Sequence, residues 1–303
     1  MLARLQQALT VGALLAAVLW AWVCVRAGHP GWGAAGAALI VGAYTFVLAA
    51  EFALLGLVHG NDPTPRAGAL QLLHAWWGEV RSAPVVFCWR QPFRSQRWPD
   101  HLPPGATGRR GVLLVHGFVC NRGLWNPWIE RLTAQNVPVV AVNLEPVFGS
   151  IDDGIAAIEQ GVRRIEACTG LPPILVGHSM GGLTLRCWWA APRNAERVHH
   201  AITIGAPHHG TWLARFAVWP NARQMRRGSA WLASLAAQEP VDRAQHFTCF
   251  YSHCDNIVFP PSTAALAEAD NRHLEGVAHV HMADHPAPWA ALQHLLQETI
   301  ATP

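Results

Sequence analysis

The chain has 303 residues, enough for one large buried core or two domains. Apolar residues make up 51% and charged residues 14%, little charge for a purely water-facing protein, and the basic residues are all arginine. A net charge of +3, with no arginine run longer than a pair, excludes nucleic acid as the expected partner.

Residues 8–25 ("ALTVGALLAAVLWAWVCV") are uncharged and long enough to cross a bilayer, which takes about 20 apolar residues. Residues 31–58 hold a second apolar run, interrupted only by Glu51. A span over 33–50 puts Glu51 at the interface, where a carboxylate is cheap; at mid-membrane it costs about 2.5–3.5 kcal/mol. A cleaved signal peptide accounts for the first run but leaves the second without a role. A hairpin buried against the rest of the chain is the other alternative. The expectation is a two-pass, membrane-anchoring helical hairpin over residues 1–60, with the lipid bilayer as partner. Arg4, Arg26, Arg66 and Arg81 lie so that the positive-inside bias favours both ends in the cytoplasm, as in a bacterial inner-membrane protein. Residues 61–110 read as a linker with the first strands and an amphipathic helix over 65–80, which carries Leu70, Leu73, Trp76 and Trp77 on one side.

From Gly111 onward strands and helices alternate. "GVLLVHG", "VPVVAVNL", "PPILVGH", "HAITIGA" and "HFTCFYSH" read as strands. Residues 127–135, 152–168 and 182–190 have helical spacing between them. This predicts an α/β domain over 111–303, a mostly parallel sheet with helices on both faces. Residues 207–240 are too long for a simple connection and read as a helical cap. They carry Trp212, Trp219 and Trp231 with Arg215, Arg223, Arg226 and Arg227. These tryptophans either line an acyl pocket or enter lipid as an interfacial lid. Function in such sheets collects at the carboxyl ends of the strands.

There, between the apolar strand "PILV" and the helix "GLTLRCWWA", stands Gly177-His178-Ser179-Met180-Gly181. It fits G-x-S-x-G, a tight strand-to-helix turn that projects the serine hydroxyl above the sheet. A serine hydroxyl is a poor nucleophile alone and needs a base and an acid to orient that base. Asp255 sits just past the strand "FTCFYSH", and His279 follows the short run 274–278. Their order, serine, aspartate, histidine, is the one this architecture requires. His281 and His285 are the runner-up bases. The oxyanion needs two backbone N–H donors, for which Met180 and Phe118 are placed, the latter after the strand end His116-Gly117. His116, Gly117, His178 and His208 are expected on the substrate side. His279, His281, Asp284 and His285 also approximate a metal-hydrolase pattern, but it is off by one residue and almost no chain follows to supply further ligands. The seven cysteines are scattered without close-spaced metal pairs and read as reduced thiols. No metal is expected.

The segments "VLLVHGF", "VGHSMGG", "ITIGAPHHGT", "FYSHCDNIV" and "GVAHVHM" resemble the α/β-hydrolase superfamily, and within it the small bacterial lipases and esterases. The resemblance implies the α/β-hydrolase fold, no cofactor, Asp255 as the acid and His279 as the base. It implies a serine hydrolase acting on an acyl ester or lipid. Acyl transfer or thioester cleavage would use the same apparatus, and a non-catalytic membrane scaffold on this fold is the reading from another class.

Overall fold

The computed structural model describes residues 1–298. Its centre is a six-stranded parallel sheet of β1 (Val112–Val115), β2 (Val139–Val142), β3 (Ile174–His178), β4 (His200–Ile204), β5 (Phe247–Ser252) and β6 (Asp270–Leu274). The spatial order is β2-β1-β3-β4-β5-β6, and Val112 of β1 lies opposite both Val139 of β2 and Ile174 of β3. The inner strands are continuous Val, Ile and Leu runs because both faces are covered. Alternation then sorts the side chains. Leu113, Val115 and Leu175 meet Ile158, Leu183 and Trp188 on one face. Val112, Leu114, Ile174 and Val176 meet Trp128, Ile129 and Leu292 on the other.

Five helices precede the sheet: α1 (Leu2–Arg26), α2 (Pro30–Gly42), α3 (Tyr44–Val58), α4 (Ala69–Pro84) and α5 (Gln91–Arg94). Helices α1 and α2 fold back on each other where glycines allow close approach: a Cβ on Gly33 would stand 3.1 Å from Cys24 Cβ. The indole of Trp20 donates to the Trp32 carbonyl at 3.0 Å across the same hairpin. The second apolar run is not one straight helix. It bends by 50° between α2 and α3, where the Thr45 hydroxyl donates to the Gly42 carbonyl at 2.7 Å. Past the bend, Phe52 and Leu55 of α3 pack on Ala75, Cys254, Phe259 and Ala278. Glu51, expected at a membrane interface, instead accepts a hydrogen bond from Asn256 at 2.7 Å. The amphipathic helix forms four residues later than predicted, and Pro84, which lacks an N–H, leads into a wide π turn over Val85–Arg90 before α5. No strand forms in 61–110; among the described residues only a single antiparallel bridge, His101 to Val139, touches the sheet.

The covering helices are α6 (Asn126–Ala134), α7 (Ile155–Thr169), α8 (Met180–Trp189) and α11 (Pro286–Glu298), with α9 (Pro220–Gln224) and α10 (Ala230–Gln238) in the cap. Helix α7 buries Ile158, Val162 and Ile165 at helical spacing and stops at Gly170 in the left-handed region. The cap tryptophans go three ways. Trp212 stacks on Phe259 at 6.0 Å, Trp231 donates to Asp152 at 2.9 Å, and only Trp219 is largely exposed, stacked on Phe148 at 4.7 Å. Phe148 in turn meets Phe118 edge-on at 5.9 Å.

Candidate functional site

Ser179 caps α8 at the end of β3 with φ 54° and ψ −129°, a strained backbone for a residue with a side chain. Its own N–H donates to the Ile204 carbonyl at 2.8 Å, which ties the turn to β4. The motif glycines are a matter of space. A Cβ on Gly181 would stand 2.5 Å from the Val115 carbonyl oxygen and 2.6 Å from that of His116, both backbone atoms. A Cβ on Gly117 would stand 2.8 Å from Ser179 Cβ, so the loop after β1 passes directly beside the serine. In that loop Val119 also has positive φ, 54°. Neither the Phe118 nor the Met180 amide donates a hydrogen bond within the protein among the described residues, which leaves two donors unused beside Ser179.

The loops after β5 and β6 meet at the same sheet end. Asp255, 1% exposed, accepts from the amides of Ile257 and Val258 through Oδ1, both at 2.8 Å. Its Oδ2 is 2.9 Å from His279 Nδ1. With acceptors on that side, Nδ1 is the protonated nitrogen and Nε2 the basic one. The His279 backbone is held as firmly: its N–H donates to Asn256 Oδ1 at 3.2 Å, and its carbonyl lies 3.0 Å from His178 Nε2. Ser179 and His279 are both nearly buried, and the His178 and His279 rings are 4.7 Å apart. Among the described residues no hydrogen bond joins the Ser179 hydroxyl to His279; in ligand-free sites such bonds often close only when substrate arrives.

Burial pulls the His279 pKa down, but Asp255, its hydrogen bond, and the nearby Glu79 and Glu51 outweigh it and leave the imidazole above its ordinary value. His178 goes the other way: burial, reinforced by His279, pushes it down to about 3. It is neutral, donates through Nε2 and steadies His279 from below. His116, held by burial at about 4, accepts the Leu144 amide at 3.0 Å and lies 2.8 Å from the Gly117 carbonyl. His208 lies 3.0 Å from the Thr203 hydroxyl, with its carbonyl bound by Arg186 at 3.0 Å. Of these three histidines, expected on the substrate side, His116 and His208 spend both ring nitrogens on the frame, while His178 uses only Nε2 and its buried Nδ1 has no hydrogen-bond partner among the described residues. Gly117 lies against the serine and against His178 Nδ1. The runner-up bases sit away from the pair: His281 faces α4 at Gly78, and His285 accepts the Ala287 amide at 3.2 Å.

Sequence reasoning passed over Glu79. It is 1% exposed on α4, and its two carboxylate oxygens accept the amides of Val280 and His281, each at 3.0 Å. Its position four residues from both Ala75 and Ala83, on the buried face of the helix, was the signal available.

The model of a family described as alpha/beta hydrolase fold matches residues 111–255. Triacylglycerol lipases of Pseudarthrobacter phenanthrenivorans and Burkholderia plantarii are each 34% identical over 121 residues, 37% of this chain. The match spans about a third of the length of those relatives, 37% and 33% respectively. The crystal structure of a Bacillus licheniformis lipase in mature form superposes with a TM-score of 0.57 at 18% identity, covering 66% of this chain and 97% of that one. At that identity the likeness shows the fold.

Proposed function

From the premise that this chain is an α/β-hydrolase-fold protein of the lipase- and esterase-like kind, we propose that it cleaves carboxylic esters through an acyl-enzyme on Ser179. His279 Nε2 takes the Ser179 proton as Oγ attacks the ester carbonyl. Asp255 holds the imidazole in the required tautomer and stabilises the imidazolium. The oxyanion is met by the Phe118 and Met180 amides at the start of α8, where the helix dipole also favours negative charge. His279 then returns the proton to the departing alcohol, and water releases the acid by the same steps in reverse order. Histidine and aspartate thus act on the serine from loops after β6 and β5.

The observation that carries this reading is the strained Ser179 turn beside a buried His279–Asp255 pair, with two unused amides at hand. The aromatic row Phe118, Phe148 and Trp219 next to those amides suits an apolar acyl chain. For the site of action we propose a membrane, through α1. Its best 18-residue window has a mean hydropathy of 2.3 and is 6% buried. Retention of α1 is favoured by Gln6, a buried residue whose side chain donates to Gln91 at 2.8 Å.

A fluorophosphonate probe tests the chemistry. Wild-type protein is expected to label and Ser179→Ala not to; well-folded wild type that stays unlabelled would favour a non-catalytic scaffold. A panel of p-nitrophenyl esters of graded chain length then reads the acyl preference. Resistance of the protein to carbonate extraction, lost when α1 is removed, is the expected result for the anchor.

A further inference from the structure

Resting on the reading of His279 as the base, we propose that Glu79 of α4 is a positioning residue that clamps the His279 loop from outside the sheet domain. Its carboxylate takes the two consecutive amides that follow His279, those of Val280 and His281, one on each oxygen at 3.0 Å. The preceding residue makes the approach possible: a Cβ on Gly78 would stand 2.8 Å from His281 Nδ1. Glu79 has no ion-pair partner among the described residues. A buried carboxylate without a cation is costly unless its lone pairs are well used, and here both oxygens are spent on the same turn.

Charge adds a second effect. His279 is faced by Asp255 from the loop after β5, Glu51 of α3 through Asn256, His178 at the end of β3, and Glu79 of α4. His281 lies next along its own loop. Glu79 therefore fixes where the imidazole stands and also favours its protonated form, the form it takes during attack. Burial lifts Glu79 itself to about 7, against the pull of the Val280 amide and His279, so its charge changes in the range where the enzyme would work.

The test uses the full-length protein in lipid discs, with p-nitrophenyl butyrate as probe over pH 5–9. Glu79→Gln keeps the shape, loses one good acceptor and loses the charge. The expected result is a kcat about tenfold lower, as for one charge-assisted hydrogen bond, with KM unchanged and the acid limb of kcat/KM moved to lower pH. Glu79→Asp, which restores the charge on a shorter arm, is expected to return the acid limb toward the wild-type midpoint while kcat stays low. Unchanged kcat and unchanged midpoint in Glu79→Gln would overturn the proposal. So would loss of fold in both variants, seen by circular dichroism, which would make Glu79 a determinant of folding. Ser179→Ala in parallel separates the two readings: if it still turns over ester, the serine mechanism itself has failed and the proposal falls with it. If it is dead while Glu79→Gln matches wild type, only the clamp is wrong.

Discussion

Asp255→Asn perturbs the proposed site at one atom. In the wild-type protein Oδ1 accepts the Ile257 and Val258 amides and Oδ2 faces His279 Nδ1. An asparagine keeps its carbonyl oxygen on the two amides, since two donors there demand an acceptor. Its NH2 group is then forced toward His279 Nδ1, which must become an acceptor, and the ring proton moves to Nε2. The base facing Ser179 is lost although the shape is kept. The two retained bonds limit the stability loss to about 1–3 kcal/mol, the range for one altered hydrogen bond to a charged group. The kinetic loss is far larger: a wrong tautomer in this constellation costs about 10⁴ in kcat, about 5.5 kcal/mol of barrier. The assay is p-nitrophenyl butyrate hydrolysis at pH 7.5 with the melting temperature measured on the same sample. A kcat within tenfold of wild type in a folded variant would refute the role given to Asp255.

Gly181→Ala drives a Cβ to 2.5 Å from one backbone oxygen and 2.6 Å from another; neither can move far, so a stability loss of about 1–3 kcal/mol or more is expected by urea titration, along with loss of fluorophosphonate labelling. Because the His279 pKa lies above 6.5, kcat/KM is expected to fall as pH drops through a midpoint above that value, read from a pH–rate profile. His116 and His178 are held neutral at about 4 and about 3 in the folded chain, against an ordinary 6.5. Unfolding makes them bind protons, so their contribution to stability is present above pH 6.5 and fades as pH falls toward the folded values. His279 has the opposite sign, its contribution being lost as pH rises through its raised value. His200 and His208 are depressed by burial as well, so against the raised His279 and Glu79 the depressed histidines prevail and the melting temperature is expected to drop between pH 6.5 and 4. Trp219→Ala removes the exposed end of the aromatic row and is expected to raise KM for long-chain esters while leaving the acetyl ester unchanged.

Much of the sheet was legible because its order is written locally. "PILV" before Gly177 and "GLTLRCWW" after it are a strand and a helix by short-range pattern alone, and they bring Ser179 to the sheet end. Asp255 was legible for the same reason, one step past β5. His279 was harder, since β6 ends at Leu274 and the histidine lies in the loop beyond, not at a strand end as its apolar run suggested. The surroundings of the histidines 116, 178 and 208 were not legible because a buried neutral imidazole and a substrate-facing one look alike in sequence; the partners that distinguish them, such as Leu144 and the carbonyl of His279, are 28 and 101 residues away. The partners of Glu51 and Glu79 were beyond reach for the same cause, since they stand some 200 residues downstream, although the helical spacing of Glu79 marked its burial. Glu51 looked like a flaw in a membrane run because hydropathy has no way to see a docking side chain.

The braces on the loops of the proposed site run through the first ninety-four residues: Gln6 donates to Gln91, which lies beside the Asn121 turn, Glu51 holds Asn256, and Glu79 holds the amides after His279. Trimming the apolar helices α1 to α3 to ease purification would remove the Gln6 and Glu51 supports at once and leave α4, with Glu79, without the α3 residues it packs on. A silent preparation obtained that way would report a toolkit taken off its workbench, not a missing trade. Recombinant material for assays therefore keeps residues 1–94 in place.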